Sequence, residues 1–352
     1  MKKKIIIVSG GTAGHIYPAI DIALYMLKKS WEVLIITSKN RIEKRLFKEY
    51  NLEIEYLSIL FSKIKIIRYI YSLLNVILLS LRIKSIFKCW KPDVILGMGS
   101  YVSFPILLLG KIFRIPITLH EQNKIVGKAN YYLSKITCKN FQAYSNTIKN
   151  GITVGNPIRK NILKIKPLYK RILKRKGLLR LLIVGGSQGS KILNKIVPKV
   201  AKKLKNKFIF WHQTGLSSKN CVIKKYLLNK VKVKKVEEFI RNIFISYTWA
   251  DIIICRAGAI TVSELVSVKL PAIFIPFIHS DNHQYLNIYD LLERNCVFVI
   301  KEKNLTVRKL YKLLYKLDRK KIFKMSKKFE IKKNRSLKLI EKELKLIVRN
   351  VS

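Results

Sequence analysis

Three stretches hold residues able to do chemistry. The first is Cys255-Arg256-Ala257-Gly258-Ala259-Ile260-Thr261-Val262-Ser263-Glu264. The apolar run Asp251-Ile252-Ile253-Ile254-Cys255 before it reads as a buried parallel strand. A small-residue turn follows, and Thr261 or Ser263 can cap a helix that carries Leu265 and Val266 inward. The first N–H groups of a helix lack partners, so a strand, a glycine turn and a helix start make a site for an anion. Glu264, placed in the first turn, would repel a phosphate. It either accepts hydrogen bonds from a neutral diol, such as the ribose of a nucleotide, or only complements the helix dipole. The second stretch is Ser9-Gly10-Gly11-Thr12-Ala13-Gly14-His15. A helix N-terminus disfavours imidazolium, so His15 there is either a neutral acceptor of a proton near pH 7 or a simple cap. The third is His120-Glu121 at the end of an apolar run, either an acid/base pair or structural.

Other chemistries find less support. His279 and His283, with Asp281 between, have a ligand-like spacing, but after Pro276 they fall at a loop and a helix start and are not read as a metal site. There is no Asp-x-Asp pair to hold a divalent ion on a nucleotide diphosphate. Neither glycine loop matches Gly-x-Gly-x-x-Gly or carries Gly-Lys-Ser/Thr, which argues against a dinucleotide site and a P-loop.

The elements that must position these residues come in two sets. Ile5-Ile6-Ile7-Val8 reads as a strand, 18–27 as a helix with Pro18 in its first turn, and Val33 to Thr37 as a second strand. Asp93 to Leu96 is a strand before the turn Gly97-Met98-Gly99-Ser100-Tyr101, and Pro116 to Glu121 is another. Residues 160–176 form a basic linker or exposed helix. The pattern then restarts: Leu181-Leu182-Ile183-Val184, the loop 185–190, a helix through Ile192, Ile196 and Val200, and strands at 208–211, 231–233, 252–254 and 272–275. A strand, glycine loop and helix occurring twice predict an α/β protein of two doubly wound, Rossmann-like domains facing each other across a cleft. Residues 307–348 read as a lysine-rich helical run.

The chain has 352 residues, enough for two full cores, and 49% are hydrophobic, which excludes a disordered protein. Its 71 Lys and Arg against 20 Asp and Glu give a net charge of +51. That balance points to anionic partners, or to AT-rich coding bias that loads solvated faces with lysine. Basic residues interleaved with exposed aromatics are not seen, so no nucleic-acid partner is expected. Five scattered cysteines, none in a Cys-x-x-Cys pair, predict neither a disulfide framework nor a zinc site, and suggest a reducing cytoplasm. Met1-Lys2-Lys3-Lys4 before Ile5 imitates a signal peptide, but the apolar run is too short and leads into a glycine loop. Tyr69 to Leu81 carries no charge and falls short of the roughly 20 residues of a spanning helix. Lys63, Lys65, Arg68, Arg82, Lys84 and Lys88 flank it. It is either a helix lying on an anionic bilayer surface or a core helix with basic ends.

Taken in order, Gly10 to His15, Gly97 to Ser103, His120-Glu121-Gln122-Asn123, Gly155-Asn156-Pro157-Ile158-Arg159, Gly185-Gly186-Ser187-Gln188-Gly189, Trp211 to Gly215, Arg256 to Glu264, and Pro276-Phe277 with Asp281-Asn282-His283-Gln284 closely resemble the MurG family of peptidoglycan N-acetylglucosaminyltransferases. The resemblance covers the chain up to its tail. It implies the GT-B fold, with an acceptor and membrane-associating domain over 1–159, a UDP-sugar domain over 160–334, and a final helix at about 335–352 packing back on the first. It implies inverting transfer of N-acetylglucosamine from its UDP donor to the muramyl 4-hydroxyl of undecaprenyl-diphospho-N-acetylmuramyl-pentapeptide, on the cytoplasmic face of the bacterial inner membrane. No cofactor and no metal are implied. By the same resemblance Glu264 binds ribose, Ile240 contacts uracil, and Ala259, Ile260, Thr261, Val262 and Ser263 line the nucleotide. Ser187 and Arg159 face the diphosphate, Gln284 and Asn123 hold the sugar, and Thr12, Ala13 and Gly14 close over the donor. His15 is the candidate general base. The anionic membrane surface would be met by residues 64–88. Ala13, Ser100 and Phe104 depart from smaller residues common in the family and narrow the loops. A related UDP-sugar enzyme such as an epimerase is the alternative.

Overall fold

The structure is a computed structural model that describes residues 2–60, 65–186, 188–277, 283–330 and 334–350. The chain divides into two compact units, Met1–Ile158 with Asn334–Ser352, and Arg159–Lys333. Each is built on one parallel sheet.

In the first unit the strands are β1 (Lys4–Val8), β2 (Glu32–Ser38), β3 (Glu53–Leu57), β4 (Val94–Gly97), β5 (Ile117–Glu121), β6 (Lys139–Gln142) and β7 (Ile152–Thr153), in the order β3-β2-β1-β4-β5-β6-β7. All described pairings are parallel. The run Ile5 to Val8 is fully buried because helices cover both faces, which is why it is apolar without alternation. Its helices include α1 (Ala13–Leu27), α2 (Arg41–Phe47), α3 (Lys65–Trp90), α4 (Ser100–Ile112) and α5 (Lys128–Leu133). The chain winds outward from β1 to β3 and then crosses back to β4, so the strand order reverses between β1 and β4. Loops leaving two neighbouring strands in opposite directions open a crevice at their carboxyl ends. Residues 9–12 and 98–99 are those loops, tied by the Met98 N–H donating to the Val8 carbonyl at 2.8 Å.

The second unit repeats the plan. Strands β8 (Leu179–Val184), β9 (Phe208–Gln213), β10 (Val233–Glu237), β11 (Ile252–Cys255), β12 (Ala272–Phe274) and β13 (Phe298–Val299) lie in the order β10-β9-β8-β11-β12-β13. Its reversal falls between β8 and β11. The helices that matter for the site are α6 (Lys160–Leu163), α7 (Lys191–Leu204), α8 (Lys219–Leu228), α9 (Ile243–Trp249) and α10 (Ala259–Val268).

Several boundaries differ from expectation. The first helix begins at Ala13, five residues before Pro18, because Thr12 in extended conformation is its N-cap and Pro18 is accommodated inside the helix. Residues 160–176 are a short helix and a 3-10 turn, Leu168–Lys170, anchored by buried Ile162, Leu168 and Ile172. The strand expected at 231–233 starts at Val233 and runs to Glu237, where pairing with β9 continues. The lysine-rich tail is three helices, Val307–Tyr315, Arg319–Lys327 and Ser336–Arg349. Thr306 and Asp318 cap the first two with their side chains. The last belongs to the first unit, where Ile340, Leu344 and Ile347 are buried and Glu343 pairs with Lys139.

Helix α3 has two apolar faces, and one of them is that of a core helix. Leu79, Ile83 and Phe87, spaced by four, are buried in the core of the first unit. Ile70, Leu73, Ile77, Leu78 and Leu81 form a second apolar stripe that is exposed, Leu81 to 82%. Lys63 and Ile64, at the start of the expected membrane segment, lie outside the described residues. Among those described, no helix is long and apolar enough to cross a membrane.

Candidate functional site

Two clusters of polar residues form, one at each switch point. In the first unit, Gly11 sits at φ +83, a conformation glycine adopts without strain, and turns the chain from β1 into α1. Thr12 and Gly14 are exposed, and Ala13 and His15 half-buried, in the first turn of α1. His15 does not cap the helix: its Nδ1 lies 2.9 Å from the Met98 carbonyl oxygen and 3.0 Å from Gln122 Oε1. His120 and Glu121 are both buried at the end of β5. Burial pushes the His120 imidazole down to about 4, so the ring is neutral at physiological pH. Its Nε2 lies 3.0 Å from the Gly155 carbonyl oxygen. Glu121 accepts from the Asn123 N–H and Nδ2, the Gly127 N–H and Asn130 Nδ2, at 2.9 to 3.1 Å. A carboxylate with four donors is structural, and through Asn123 and Gly127 it shapes the loop after β5. Asn123 therefore joins His15, Thr12, Ala13 and Gly14 at one end of one sheet.

Sequence reading missed the support beneath this loop. Glu43 of α2, 1% exposed, accepts from the Gly11 N–H at 2.9 Å and the Ser38 hydroxyl at 2.7 Å. The Tyr101 hydroxyl lies 3.2 Å from Ser38 Oγ and accepts from Asn40 Nδ2 at 2.8 Å. These residues stand on three separate elements, and no spacing in the chain signals their meeting.

In the second unit, Glu264 is 4% exposed on α10. The expectation that Thr261 or Ser263 caps this helix, with Glu264 in its first turn, is overturned. Gly258, in extended conformation, is the N-cap and the helix starts at Ala259. Because the helix begins at Ala259, directly after the turn from β11, Thr261 and Ser263 fall inside it and Glu264 in its second turn. Glu264 is then too far along to serve the helix dipole. Its carboxylate accepts instead from Arg159 Nη2 at 2.8 Å and the Tyr247 hydroxyl at 3.0 Å. Burial first, and the neighbouring Glu264 second, raise the Tyr247 phenol well above its ordinary value, so it stays a donor. Tyr247 was also missed, since α9 shows no polar motif. Ala259, Ile260 and Val262 are buried, and Thr261 and Ser263 half-buried.

Ile240 is buried, and its N–H donates to Gln213 Oε1 at 2.9 Å, while Gln213 Nε2 donates to the Gly186 carbonyl at 2.9 Å. Gln213 thus ties the Ile240 segment to the loop after β8. That loop is also locked by backbone packing: a Cβ on Gly189 would lie 2.1 Å from the Thr214 carbonyl oxygen, and one on Gly215 2.3 Å from that of Gln188. Gln284 Oε1 accepts from the Ala257 and Phe277 N–H groups at 3.2 and 2.9 Å. Arg256 reaches Ser190, the N-cap of α7, at 3.1 Å and Glu302 at 2.8 Å. Ser187, His279 and Asp281 lie outside the described residues. Among the described residues, no three His, Cys, Asp or Glu cluster as a metal site. The arrangement offers a buried carboxylate at α10, backbone N–H groups at the starts of α7 and α10, and in the other unit a histidine at the start of α1.

Comparison with known proteins gives the lineage. Residues 5–142 match the glycosyltransferase family 28 N-terminal domain and 180–343 its C-terminal domain. A protein of Buchnera aphidicola named UDP-N-acetylglucosamine–N-acetylmuramyl-(pentapeptide) pyrophosphoryl-undecaprenol N-acetylglucosamine transferase is 44% identical over 337 residues, 93% of this chain and 92% of that one. One of the same name from Wigglesworthia glossinidia brevipalpis is 44% identical over 352 residues, covering 99% and 98%. The crystal structure of Acinetobacter baumannii MurG superposes with a TM-score of 0.81 at 26% identity, covering 99% of each chain. A UDP-GlcNAc 2-epimerase from Neisseria meningitidis shares the fold, with a TM-score of 0.64 at 16% identity, covering 97% and 99%. Identity sustained over nearly the whole length, through both family 28 domains, means that the chain belongs to the MurG family of glycosyltransferases.

Proposed function

We propose that the chain transfers N-acetylglucosamine from UDP-N-acetylglucosamine to the muramyl 4-hydroxyl of undecaprenyl-diphospho-N-acetylmuramyl-pentapeptide, converting lipid I to lipid II in peptidoglycan synthesis. The observation that carries this reading is the 44% identity to transferases of that name across 93 to 99% of the chain.

The chemistry can be written from the residues in place. The 4-hydroxyl oxygen attacks C1 of the donor sugar from the face opposite UDP, the C1–O bond to the diphosphate breaks with its electron pair, and the configuration inverts. His15 takes the hydroxyl proton. Negative charge on departing UDP is met by the helix starts at α7 and α10. Ala259 to Ser263 and Ile240 line the nucleotide, and Gln284 and Asn123 hold the sugar. Thr12, Ala13 and Gly14 close over the donor. Glu264 accepts the ribose hydroxyls, and Arg159 and Tyr247 hold its carboxylate in direction. Arg159 sets the orientation of Glu264 in addition to facing the diphosphate.

The lipid acceptor brings the protein to a bilayer. The exposed stripe of α3, with Arg82, Lys84 and Lys88 exposed beside it, suits a helix lying at the headgroups of an anionic membrane. The chain then works as a peripheral protein on the cytoplasmic face of the inner membrane. The test is transfer of radiolabelled N-acetylglucosamine to a short-chain lipid I analogue by wild type and His15→Ala. Labelled disaccharide lipid from wild type and a loss of at least a hundredfold in the variant are expected. UDP-sugar turnover without that product would overturn the reading in favour of an epimerase.

A further inference from the structure

Gln122 lies between the two histidines of the first unit and is 2% exposed. Its Nε2 is 3.0 Å from the Met98 carbonyl oxygen, 3.0 Å from the His120 carbonyl oxygen and 3.2 Å from His120 Nδ1. Carbonyl oxygens only accept, so the NH2 of the amide must face them. Turned the other way, Oε1 would oppose two buried oxygens with no proton between. The orientation of the amide is therefore decided, and Oε1 faces His15 at 3.0 Å.

That orientation decides the state of His15. Its Nδ1 has two oxygens for neighbours, Met98 O at 2.9 Å and Gln122 Oε1. Neither can donate, so Nδ1 carries the proton and Nε2 of the neutral ring holds the lone pair. The far side of the amide agrees. His120 Nε2 donates to the Gly155 carbonyl, which leaves His120 Nδ1 to accept from Gln122. Titratable groups hydrogen-bonded at this end of the sheet include Glu121 on β5, Glu43 on α2 and Tyr101 on α4. Glu121 is taken up by Asn123, Gly127 and Asn130, and Glu43 by Gly11 and Ser38.

We propose that Gln122 is a positioning residue for catalysis: with the Met98 carbonyl it holds His15 as the Nδ1–H tautomer and aims the bare Nε2 at the acceptor hydroxyl. When that hydroxyl attacks C1, its proton moves to Nε2, and the imidazolium so formed keeps its Nδ1–H bonded to two oxygens. The pair does the orienting work that a carboxylate does in a Ser-His-Asp triad, with carbonyl dipoles in place of a full charge. This inference rests on the transferase reading for its catalytic part and on geometry alone for the tautomer.

Two measurements test it. The first labels the five histidines with nitrogen-15 and reads the ring nitrogens by long-range nitrogen–proton correlation NMR, with His15→Gln to assign the signal. Wild type is expected to show Nδ1 protonated and Nε2 bare at pH 8, and Gln122→Met to show a mixture of tautomers. A wild-type ring protonated on Nε2 overturns the proposal whether or not the variant folds. The second measures transfer to the lipid I analogue. Gln122→Met is expected to lower kcat at least tenfold while leaving KM for UDP-N-acetylglucosamine within twofold. A well-folded variant with unchanged kcat and unchanged ring spectrum also overturns it. Wild type that makes no disaccharide lipid would instead overturn the transferase reading, and the ring spectrum would still decide the role of Gln122.

Discussion

At the scale of single residues, the second unit turns on one carboxylate with two donors. Glu264 is buried, and a buried charge is tolerated only when its hydrogen-bonding capacity is met. Arg159 and Tyr247 meet it from α6's N-cap and from α9. Hydrogen bonds to charged groups contribute about 1.5–3 kcal/mol. Tyr247→Phe is therefore expected to raise KM for UDP-N-acetylglucosamine by about tenfold with a smaller effect on kcat, because Glu264 loses its fixed direction. Steady-state kinetics with varied donor checks this, and an unchanged KM would remove Tyr247 from the donor site. Glu264 itself stands out in the sequence as an acidic residue after a glycine turn. Its partners do not, since Tyr247 lies in the unremarkable run Ile243 to Trp249.

At the scale of elements, two backbone contacts and one helix face carry the argument. Gly189 and Gly215 let the loops after β8 and β9 touch through their main chains, each at positive φ. Gly189→Ala forces a Cβ toward the Thr214 carbonyl, and such overpacking costs about 1–3 kcal/mol before any backbone strain is added. A urea titration should show the midpoint falling with an unchanged slope, and a wild-type midpoint would contradict the packing. Helix α3 presents the other case. Burying one large aliphatic side chain contributes about 1.5–3 kcal/mol. The double variant Ile77→Ser and Leu81→Ser is expected to lose at least a hundredfold in binding to vesicles of anionic phospholipid, read by co-sedimentation. Its thermal midpoint should stay unchanged, because both side chains are exposed in the fold. Retained vesicle binding would mean that another surface meets the bilayer.

At the scale of the whole molecule, buried histidines couple stability to pH. Burial pushes His120 down to about 4 and His212 to about 3. His212 lies between the Tyr226 hydroxyl at 2.9 Å and Asn194 Oδ1 at 3.1 Å, in the core of the second unit. Their depressed folded values lie below the roughly 6.5 of an unfolded chain, so the unfolded state binds more protons between those limits. Their contribution is complete above about pH 6.5 and is lost as pH falls toward 3 to 4, by about 2 kcal/mol for each group at pH 5. Wild type should unfold at lower urea at pH 5 than at pH 7, and His212→Gln should show a weaker dependence. Equal pH dependence in both proteins would contradict the burial of a neutral His212. The net charge of +51 acts at the same scale. It should make vesicle binding fall steeply with added salt as screening shortens to about 3 Å at 1 M. By itself the sequence determined the repeated α/β units, both glycine loops and the parallel strands such as Ile5 to Val8, and singled out His15 and Glu264 as candidates after small-residue turns, because apolar period and turn chemistry are local properties. Boundaries such as Ala13 and Ala259 came from caps that only the folded backbone selects. The split faces of α3, the hold of Glu43 on Gly11, the grip of Tyr247 and Arg159 on Glu264, and the amide of Gln122 were decided by tertiary structure. Each joins residues far apart in the chain, and a hydrogen bond between them exists only once the sheet has brought its loops to one end.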